Sequence, residues 1–160
     1  GGGRIGRAVA TRAEAFGMKV ITSGRPDGSS PGMPLDQLLA EADIVSLHCP
    51  LTPETRGMVN AQFLAQMQSH ALLVNTARGQ CVDQVALAEA LRSGTIAGAA
   101  LDVTDPEPLP PTDPLLEAPN LMVVPHLGSA THRTREAMAN IAVDNLLAGL
   151  AGTPLPHRIA

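Results

Sequence analysis

The sequence predicts an α/β domain in which a parallel sheet is covered by helices on both faces. Helical patterns alternate with short apolar runs along most of the chain. The runs at 71–74 and 121–124 are continuously apolar instead of alternating with polar residues. Strands that are buried on both faces have this character, and their alternation with helices favours parallel βαβ connections.

Composition excludes several classes of protein. The 160 residues are 44% hydrophobic and 16% charged, which is enough apolar material for a core. The net charge of −4 argues against a nucleic-acid partner, because phosphate neutralisation needs clustered Lys and Arg. No apolar run is long enough to span a membrane, and a cytoplasmic location is expected. Cys49 and Cys81 fit no metal spacing, so we expect reduced thiols and no metal site.

The first third of the chain contains two predicted helices and two predicted strands. Residues 6–16 have helical periodicity, and Gly17 ends that helix. Residues 18–23 are rich in β-formers and predict a strand, followed by a Gly-, Pro- and Ser-rich loop over 24–34. A short helix over 35–42 then leads into the strand at 44–48.

The remainder continues the alternation. Asn60 is expected to cap a helix over 61–67, which precedes the strand at 71–75. Asp83 is expected to cap the next helix, which Gly94 ends, and a small-residue strand follows at 96–102. A proline-rich loop over 104–119 leads to a last strand at 121–124. Ser129 is expected to cap a long amphipathic helix that reaches about residue 150.

The chain opens on a glycine-rich motif, GGGRIG at 1–6. In dinucleotide-binding units Gly1 permits a tight turn, Gly3 admits a pyrophosphate and Gly6 lets the helix pack closely. The N–H groups at the start of the helix then face the phosphates. With the alternating pattern, this motif predicts a Rossmann-type doubly wound sheet. The strand that normally precedes the motif is expected to be missing, so we interpret the chain as a cofactor domain only.

Chemically distinctive residues follow the predicted strands, and the carboxyl ends of parallel strands share one edge of a sheet. That edge would hold the glycine motif and the residues that follow the later strands. These are Gly24, Arg25, Cys49, Pro50, Thr76, Arg78, Asp102 and His126.

The residues after the second predicted strand indicate the cofactor. NAD-preferring units carry an acidic residue there for the ribose hydroxyls, whereas this chain has Ser23, Gly24 and Arg25. Arg25 can pair with a 2′-phosphate, so we expect NADPH to be preferred, with NADH possible. The alternative is a solvated loop arginine in an NAD enzyme.

Arg78, Glu107 and His126 together offer the chemistry for reducing a 2-keto acid. An arginine can bind a carboxylate through two N–H groups, and a histidine can give and regain a proton near neutrality. A neighbouring carboxylate favours the protonated imidazole. Each of the three residues also has an ordinary explanation as a surface arginine, a solvated glutamate or a structural histidine.

Several ordered stretches resemble the D-isomer-specific 2-hydroxyacid dehydrogenases. They are GGGRIG at 1–6, HCPLTPET at 48–55, VNTARG at 74–79, GAALDV at 98–103, EPLP at 107–110 and PHLGSA at 125–130. Within that family, the stretches at 102–110 and 125–135 are most similar to the glyoxylate/hydroxypyruvate reductases. The segment Ser23, Gly24 and Arg25 matches the NADPH-using pattern of the same branch.

The resemblance implies roles for individual residues. Arg78 would bind the substrate, His126 would be the general acid and Glu107 would be its partner, with Ser129 beside the substrate. The implied cofactor-binding residues are Gly1, Gly3, Arg4, Ile5, Gly6, Ser23, Gly24, Arg25, Pro50, Thr55, Thr76, Asp102 and Gly128.

The resemblance also implies an organisation and a reaction. Residues 1–150 would form an N-terminally truncated cofactor domain, and 151–160 would begin the return to an absent substrate domain. The reaction would be NADPH-dependent reduction of glyoxylate or hydroxypyruvate, and a homodimer would form through the cofactor domain, with 51–67 contributing. Two alternatives stay open: a reductase of another 2-keto acid, such as 2-ketogluconate, and a non-catalytic NAD(H)-sensing corepressor on the same fold.

Overall fold

The computed structural model describes residues 1–24 and 32–158. It divides into two compact units, Gly1–Pro125 and His126–Ala160. The first unit contains helices α1 (Arg4–Ala15), α2 (Leu35–Glu41), α3 (Ala61–Ala65) and α4 (Gln84–Ser93), and strands β1 (Ile44–Leu47), β2 (Leu72–Asn75), β3 (Gly98–Leu101) and β4 (Leu121–Val123). The second unit contains α5 (His132–Leu150). Within the described ranges, no helix combines the length and apolar character that crossing a membrane requires.

The four strands form one parallel sheet in the order β1-β2-β3-β4. Their last residues are in register, so that Leu47 lies opposite Asn75, Asn75 opposite Leu101 and Leu101 opposite Val123. The predicted parallel α/β sheet is confirmed. The register brings the four carboxyl ends to one edge.

The core lies between one face of the sheet and helices α2 to α4. Alternate residues of β1 and β2 are buried, whereas Ile44 and Leu72 on the other face are 47% and 42% exposed. Helix α1 has no buried residue. The large side chains that fill the core include Leu39, Val45, Leu47, Leu64, Leu73, Leu87 and Leu101.

Helix ends in the first unit follow the local chemistry of the sequence. The side chain of Asn60 accepts from the backbone N–H of Phe63, and Asp83 accepts from two N–H groups of α4. Gly94 ends α4 in a left-handed conformation with φ 70°. All three predictions are confirmed, because a cap depends on groups only a few residues apart.

The prediction of a strand at 18–23 is wrong. In the part of the chain that the structure describes, this stretch makes only an isolated bridge between Ser23 and Met33. A strand forms only when a neighbouring backbone pairs with it over several residues. β-propensity alone therefore did not decide the conformation.

The loop predicted at 104–119 contains a short 3₁₀ helix, Pro114–Glu117, at whose start the Asp113 side chain accepts from the N–H of Leu115. A second 3₁₀ turn, Gly79–Cys81, follows Arg78. Both were missed, because three or four residues are too few to show a helical period.

In the second unit, the predicted cap of the long helix is wrong by two residues. The Thr131 hydroxyl, and not that of Ser129, accepts from the N–H of Thr134 at the start of α5. No residue of α5 is buried. The amphipathic pattern is therefore not matched by a buried face among the described residues.

Candidate active site

The residues that immediately follow β1, β2 and β3 form the floor of the candidate site. They are His48, Thr76 and Asp102, and each directly follows the last paired residue of its strand. The N–H of Asp102 donates to the carbonyl of Asn75 at 2.9 Å, which extends the pairing of β2 and β3 by one residue. The Thr76 hydroxyl lies 3.3 Å from Nδ1 of His48. The prediction that strand ends share one edge is thus realised for these residues.

The glycine motif packs against this floor. A Cβ on Gly1 would lie 2.4 Å from the carbonyl carbon of His48, and a Cβ on Gly6 would lie 2.0 Å from the carbonyl oxygen of Gly1. Both distances are too short for any side chain. Gly3, by contrast, has nothing within 4 Å of the corresponding position. The loop is therefore tightly packed at Gly1 and Gly6 and open at Gly3.

Helix α1 begins directly after Gly3, and no side chain caps its first N–H groups. Its first turn contains Arg4 and Ile5, both exposed, and no acidic residue. The first N–H groups of a helix carry a partial positive charge and bind anions. The open glycine and the uncapped helix end fit a pyrophosphate.

His48 is a site residue to which the sequence reasoning assigned no role. Its Nε2 lies 2.9 Å from the Ser46 hydroxyl and its Nδ1 lies 3.3 Å from the Thr76 hydroxyl. Thr76 can in turn donate to the carbonyl of Leu47. We therefore assign Nδ1–H as the donor to Thr76 and Nε2 as the acceptor from Ser46.

The electrostatics of His48 agree with this neutral form. Burial lowers the pKa of His48. Burial disfavours a charged imidazole because water no longer solvates it. The signal in the sequence was the position of His48, directly after a strand and within the HCPLTPET stretch.

Arg78 lies on a loop whose backbone is hydrogen-bonded to the side chain of Asn75. Asn75 is fully buried at the end of β2, and its Oδ1 accepts from the N–H of Ala77 at 2.9 Å. Its Nδ2 donates to the carbonyl of Arg78 at 2.9 Å. The Arg78 side chain is exposed, and its guanidinium donates to the Ala77 carbonyl at 2.6 Å. The backbone is thus fixed, while the guanidinium faces solvent.

Glu107 lies on the loop that follows β3, and it is exposed. The Thr104 side chain is buried, and its hydroxyl donates to the carbonyl of Pro106 at 2.9 Å. Asp102 is 8% exposed at the strand end. The first unit therefore contains the floor, the glycine motif and the Arg78 and Glu107 loops.

Pro50 and Thr55 belong to a turn that follows β1. The Thr55 hydroxyl donates to the Pro50 carbonyl at 2.7 Å and accepts from the N–H of Thr52 at 2.8 Å. Pro50 itself is exposed at the sheet edge. The hydroxyl of Thr55 thus stabilises the turn through these two hydrogen bonds.

The structure describes only part of the segment that is expected to bind the adenosine ribose. Ser23 and Gly24 are half-buried, and a Cβ on Gly32 would lie 2.1 Å from the Gly24 nitrogen. Arg25 lies outside the described residues.

His126, Gly128 and Ser129 belong to the second unit. His126 has a positive φ of 52°, which is uncommon for a residue with a side chain. Such conformations concentrate at functional sites, where the surrounding structure holds them. The backbone of His126 is therefore a second signal, independent of its chemistry.

The large apolar side chains of the segment 51–67 pack in the core of their own unit. Phe63, Leu64 and Met67 are buried, and Cys49 and Leu51 pack against the same core. The exposed side chains of α3 include Gln62. A dimer contact through this segment would therefore be largely polar.

Both cysteines are free thiols, with Cys81 buried and Cys49 half-buried. Burial, followed by the neighbouring Cys49, raises the pKa of Cys81. A thiol with a raised pKa is a poor nucleophile, so Cys81 is a packing residue.

Comparison with known proteins identifies the family. The model of the D-isomer specific 2-hydroxyacid dehydrogenase NAD-binding domain matches residues 1–128. The chain belongs to this family, as the resemblance in its motifs predicts, and the matched part is its NAD-binding domain.

The relatives in this family include named reductases. The chain is 47% identical to the glyoxylate reductase of Korarchaeum cryptofilum, over 99% of the chain and 50% of that protein. The TT0316 protein of Thermus thermophilus superposes with a TM-score of 0.90 at 54% identity, over 100% of this chain and 52% of that one. An NADPH-dependent glyoxylate/hydroxypyruvate reductase of Sinorhizobium meliloti, solved with NADP and malonate, gives a TM-score of 0.83 at 39% identity, over 100% of this chain and 54% of that one. The chain spans about half the length of the curated relatives it matches.

Proposed function

We propose that the protein reduces a small 2-keto acid, glyoxylate or hydroxypyruvate, to the corresponding 2-hydroxy acid with NADPH. The observation that carries this proposal is the shared edge of the sheet. The open Gly3, the uncapped start of α1, Thr76 and Asp102 converge there in a family defined by NAD binding. The names of the relatives supply the substrate class.

The glycine motif and the start of α1 would hold the pyrophosphate of the dinucleotide. Gly1 and Gly6 pack the loop tightly, Gly3 would let its backbone approach the phosphates, and the α1 N–H groups would donate to them. Arg4 and Ile5 would flank the phosphates, and Pro50, Thr55, Thr76, Asp102 and Gly128 would line the rest of the cofactor path. The cofactor, when bound, supplies the hydride.

The chain's own residues would bind the keto acid and supply the proton. Arg78 would bind the substrate carboxylate with two N–H groups, for which its guanidinium, exposed on a fixed backbone, would exchange its bond to the Ala77 carbonyl. His126 would donate a proton to the carbonyl oxygen as the hydride arrives, and Ser129 would contact the substrate. Glu107 would be the partner of His126 and orient its imidazole by accepting a hydrogen bond from a ring N–H.

The preference for NADPH rests on the segment Ser23, Gly24 and Arg25. No acidic residue occupies the position that would bind the free ribose hydroxyls. Arg25→Ala should lower the kcat/KM ratio of NADPH over NADH about tenfold or more, because a charge-assisted bond contributes about 1.5–3 kcal/mol. A native protein that uses NADH more efficiently than NADPH would contradict this preference.

The decisive experiment is a rate assay of the native protein with glyoxylate and hydroxypyruvate, alongside His126→Ala. The variant should lose most of the reduction, by about 100-fold or more for loss of a general acid. NADPH binding, followed by its fluorescence, should stay within about twofold. Unchanged turnover in His126→Ala removes the catalytic assignment. Cofactor binding by the native protein without turnover on any 2-keto acid would favour a nucleotide sensor.

The organisation of the whole protein is also a proposal. Residues 1–150 would act as the cofactor domain, 151–160 would lead toward a substrate domain, and two copies would pair through the cofactor domain in the cytoplasm. Sedimentation of the native protein at twice the monomer mass would support the pairing. A monomer at micromolar concentration would contradict it.

A further inference from the structure

The loop that contains Arg78 and the loop that contains Glu107 are tied together by one half-buried side chain. Gln84, the first residue of α4, donates from Nε2 to the carbonyl of Asp105 at 2.8 Å. The N–H of Asp105 donates back to Oε1 of Gln84 at 2.8 Å. The amide of Gln84 therefore pairs with both polar backbone groups of one residue, as a neighbouring strand would.

Two other contacts support the same connection. Nε2 of Gln80 donates to a carboxylate oxygen of Asp105 at 3.1 Å. The backbone of Gly79 approaches Thr104 so closely that a Cβ would lie 2.0 Å from the Thr104 carbonyl oxygen. The segment after Arg78 and the segment before Glu107 thus meet at three points.

The pairing with Gln84 restricts the backbone next to Glu107. Rotation of Asp105 would break both hydrogen bonds at once, and each is short and matched in donor and acceptor. The Thr104 hydroxyl holds the next carbonyl, that of Pro106, at 2.9 Å. Glu107 follows directly, so its starting position is set by Gln84 and Thr104.

We propose that Gln84 is a positioning residue that fixes the Glu107 carboxylate relative to the Arg78 loop by pairing with Asp105. It does not touch substrate or cofactor, and it acts on the reaction only through Glu107. This inference rests on the proposed function, in which Glu107 orients the proton donor.

The test compares Gln84→Met with Gln84→Glu in the native protein. Methionine keeps the length of the side chain and removes both hydrogen bonds, and kcat for glyoxylate should fall roughly three- to tenfold from misplacement of Glu107. The KM for glyoxylate and the Kd for NADPH should stay within about twofold, because neither binding group moves. Glutamate keeps the acceptor for the Asp105 N–H and suits the first turn of a helix, so Gln84→Glu should recover part of kcat. Gln37→Met, at an exposed glutamine of α2, is the matched control and should keep wild-type kcat.

A double-mutant cycle separates positioning from general destabilisation. If Gln84 acts through Glu107, Gln84→Met should not lower kcat further in the Glu107→Gln background. If the losses of kcat from Gln84→Met and Glu107→Gln multiply in the double mutant, the inference is overturned. A wild-type kcat in Gln84→Met overturns it as well. If Gln84→Met does not fold, the smaller loss in Gln84→Glu is put through the same cycle. If Glu107→Gln itself keeps wild-type kcat, the proposed role of Glu107 fails, and the positioning role fails with it.

Discussion

The backbone of Gly79 lies against the carbonyl of Thr104, and a Cβ on Gly79 would stand 2.0 Å from the Thr104 oxygen and 2.1 Å from its carbon. Both atoms belong to backbone that a buried strand end holds, since Asp102, Val103 and Thr104 are all buried. The clash therefore cannot be relieved by rotating a side chain. This contact joins the loop after β2 to the loop after β3 at the edge where the candidate site lies.

Gly79→Ala should consequently destabilise the protein. One loop must move away from the other, and inserting a carbon into packed structure costs about 1–3 kcal/mol. Chemical denaturation should show this loss in the free energy of unfolding. Gly149→Ala is the control, because its Cβ would meet only Leu155 at 3.7 Å within a helix. It should be neutral or stabilising by up to about 1 kcal/mol, and equal losses in the two variants would contradict the argument.

Asn75→Leu should impair both stability and substrate binding. The substitution leaves the buried N–H of Ala77 without its partner, whereas the carbonyl of Arg78 loses the Asn75 amide but still accepts from the N–H of Cys81. An unsatisfied buried group costs about 1–3 kcal/mol. Because the Arg78 loop then loses its support, the KM for the keto acid should rise while the Kd for NADPH changes little.

Asn140→Leu, on the exposed surface of α5, is the matched control for Asn75→Leu and should change neither quantity much. A wild-type KM in Asn75→Leu, with lower stability, would show that Asn75 supports the fold but not the position of Arg78.

The lowered pKa of His48 predicts that the free energy of unfolding depends on pH. Burial lowers its pKa in the folded protein from the ordinary value of 6.5. Below pH 6.5 the unfolded chain therefore takes up a proton that the folded protein resists. Stability from this residue is thus present above pH 6.5 and is lost as the pH falls through the folded pKa.

The measurement is the free energy of unfolding of the wild type and of His48→Gln from about pH 7 to about pH 5. The wild type should lose more stability over this range than the variant. The other four histidines are present in both proteins, so their contributions cancel in the difference. A steeper loss in His48→Gln would reverse the sign and contradict a lowered pKa.

Local signals predicted the parts of the fold that depend on local interactions. The caps Asn60 and Asp83 and the end of α4 at Gly94 were predicted, because each depends on neighbours in sequence. The four strands of the sheet were predicted from their short apolar runs. The strand expected at 18–23 failed because pairing is a non-local property. The two 3₁₀ turns are shorter than any period that a pattern could reveal.

The residues of the candidate site also fall into two groups, those predicted from the sequence and those recognised only from contacts in space. Arg78, Glu107 and His126 are predictions from their chemistry and from the rule that ligands bind beyond strand ends. Asn75, His48 and Gln84 support that site through contacts with residues that are near in space. Asn75 looked like a buried strand residue and Gln84 like a helix start, so only coordinates could show what their amides bind.

Arg78→Lys tests whether geometry as well as charge matters at the proposed carboxylate site. Lysine keeps the positive charge on the same loop but loses the planar pair of N–H groups. The KM for glyoxylate should rise about tenfold or more, since a bidentate bond to a carboxylate contributes more than a single ion pair. The Kd for NADPH should stay near the wild-type value, because the proposed pyrophosphate site lies at the glycine motif. Arg12→Lys, at an exposed arginine in the last turn of α1, should leave both constants unchanged. A KM in Arg78→Lys equal to that of the wild type would mean that Arg78 contributes charge alone, and an equal KM in Arg78→Ala would remove it from the substrate site altogether.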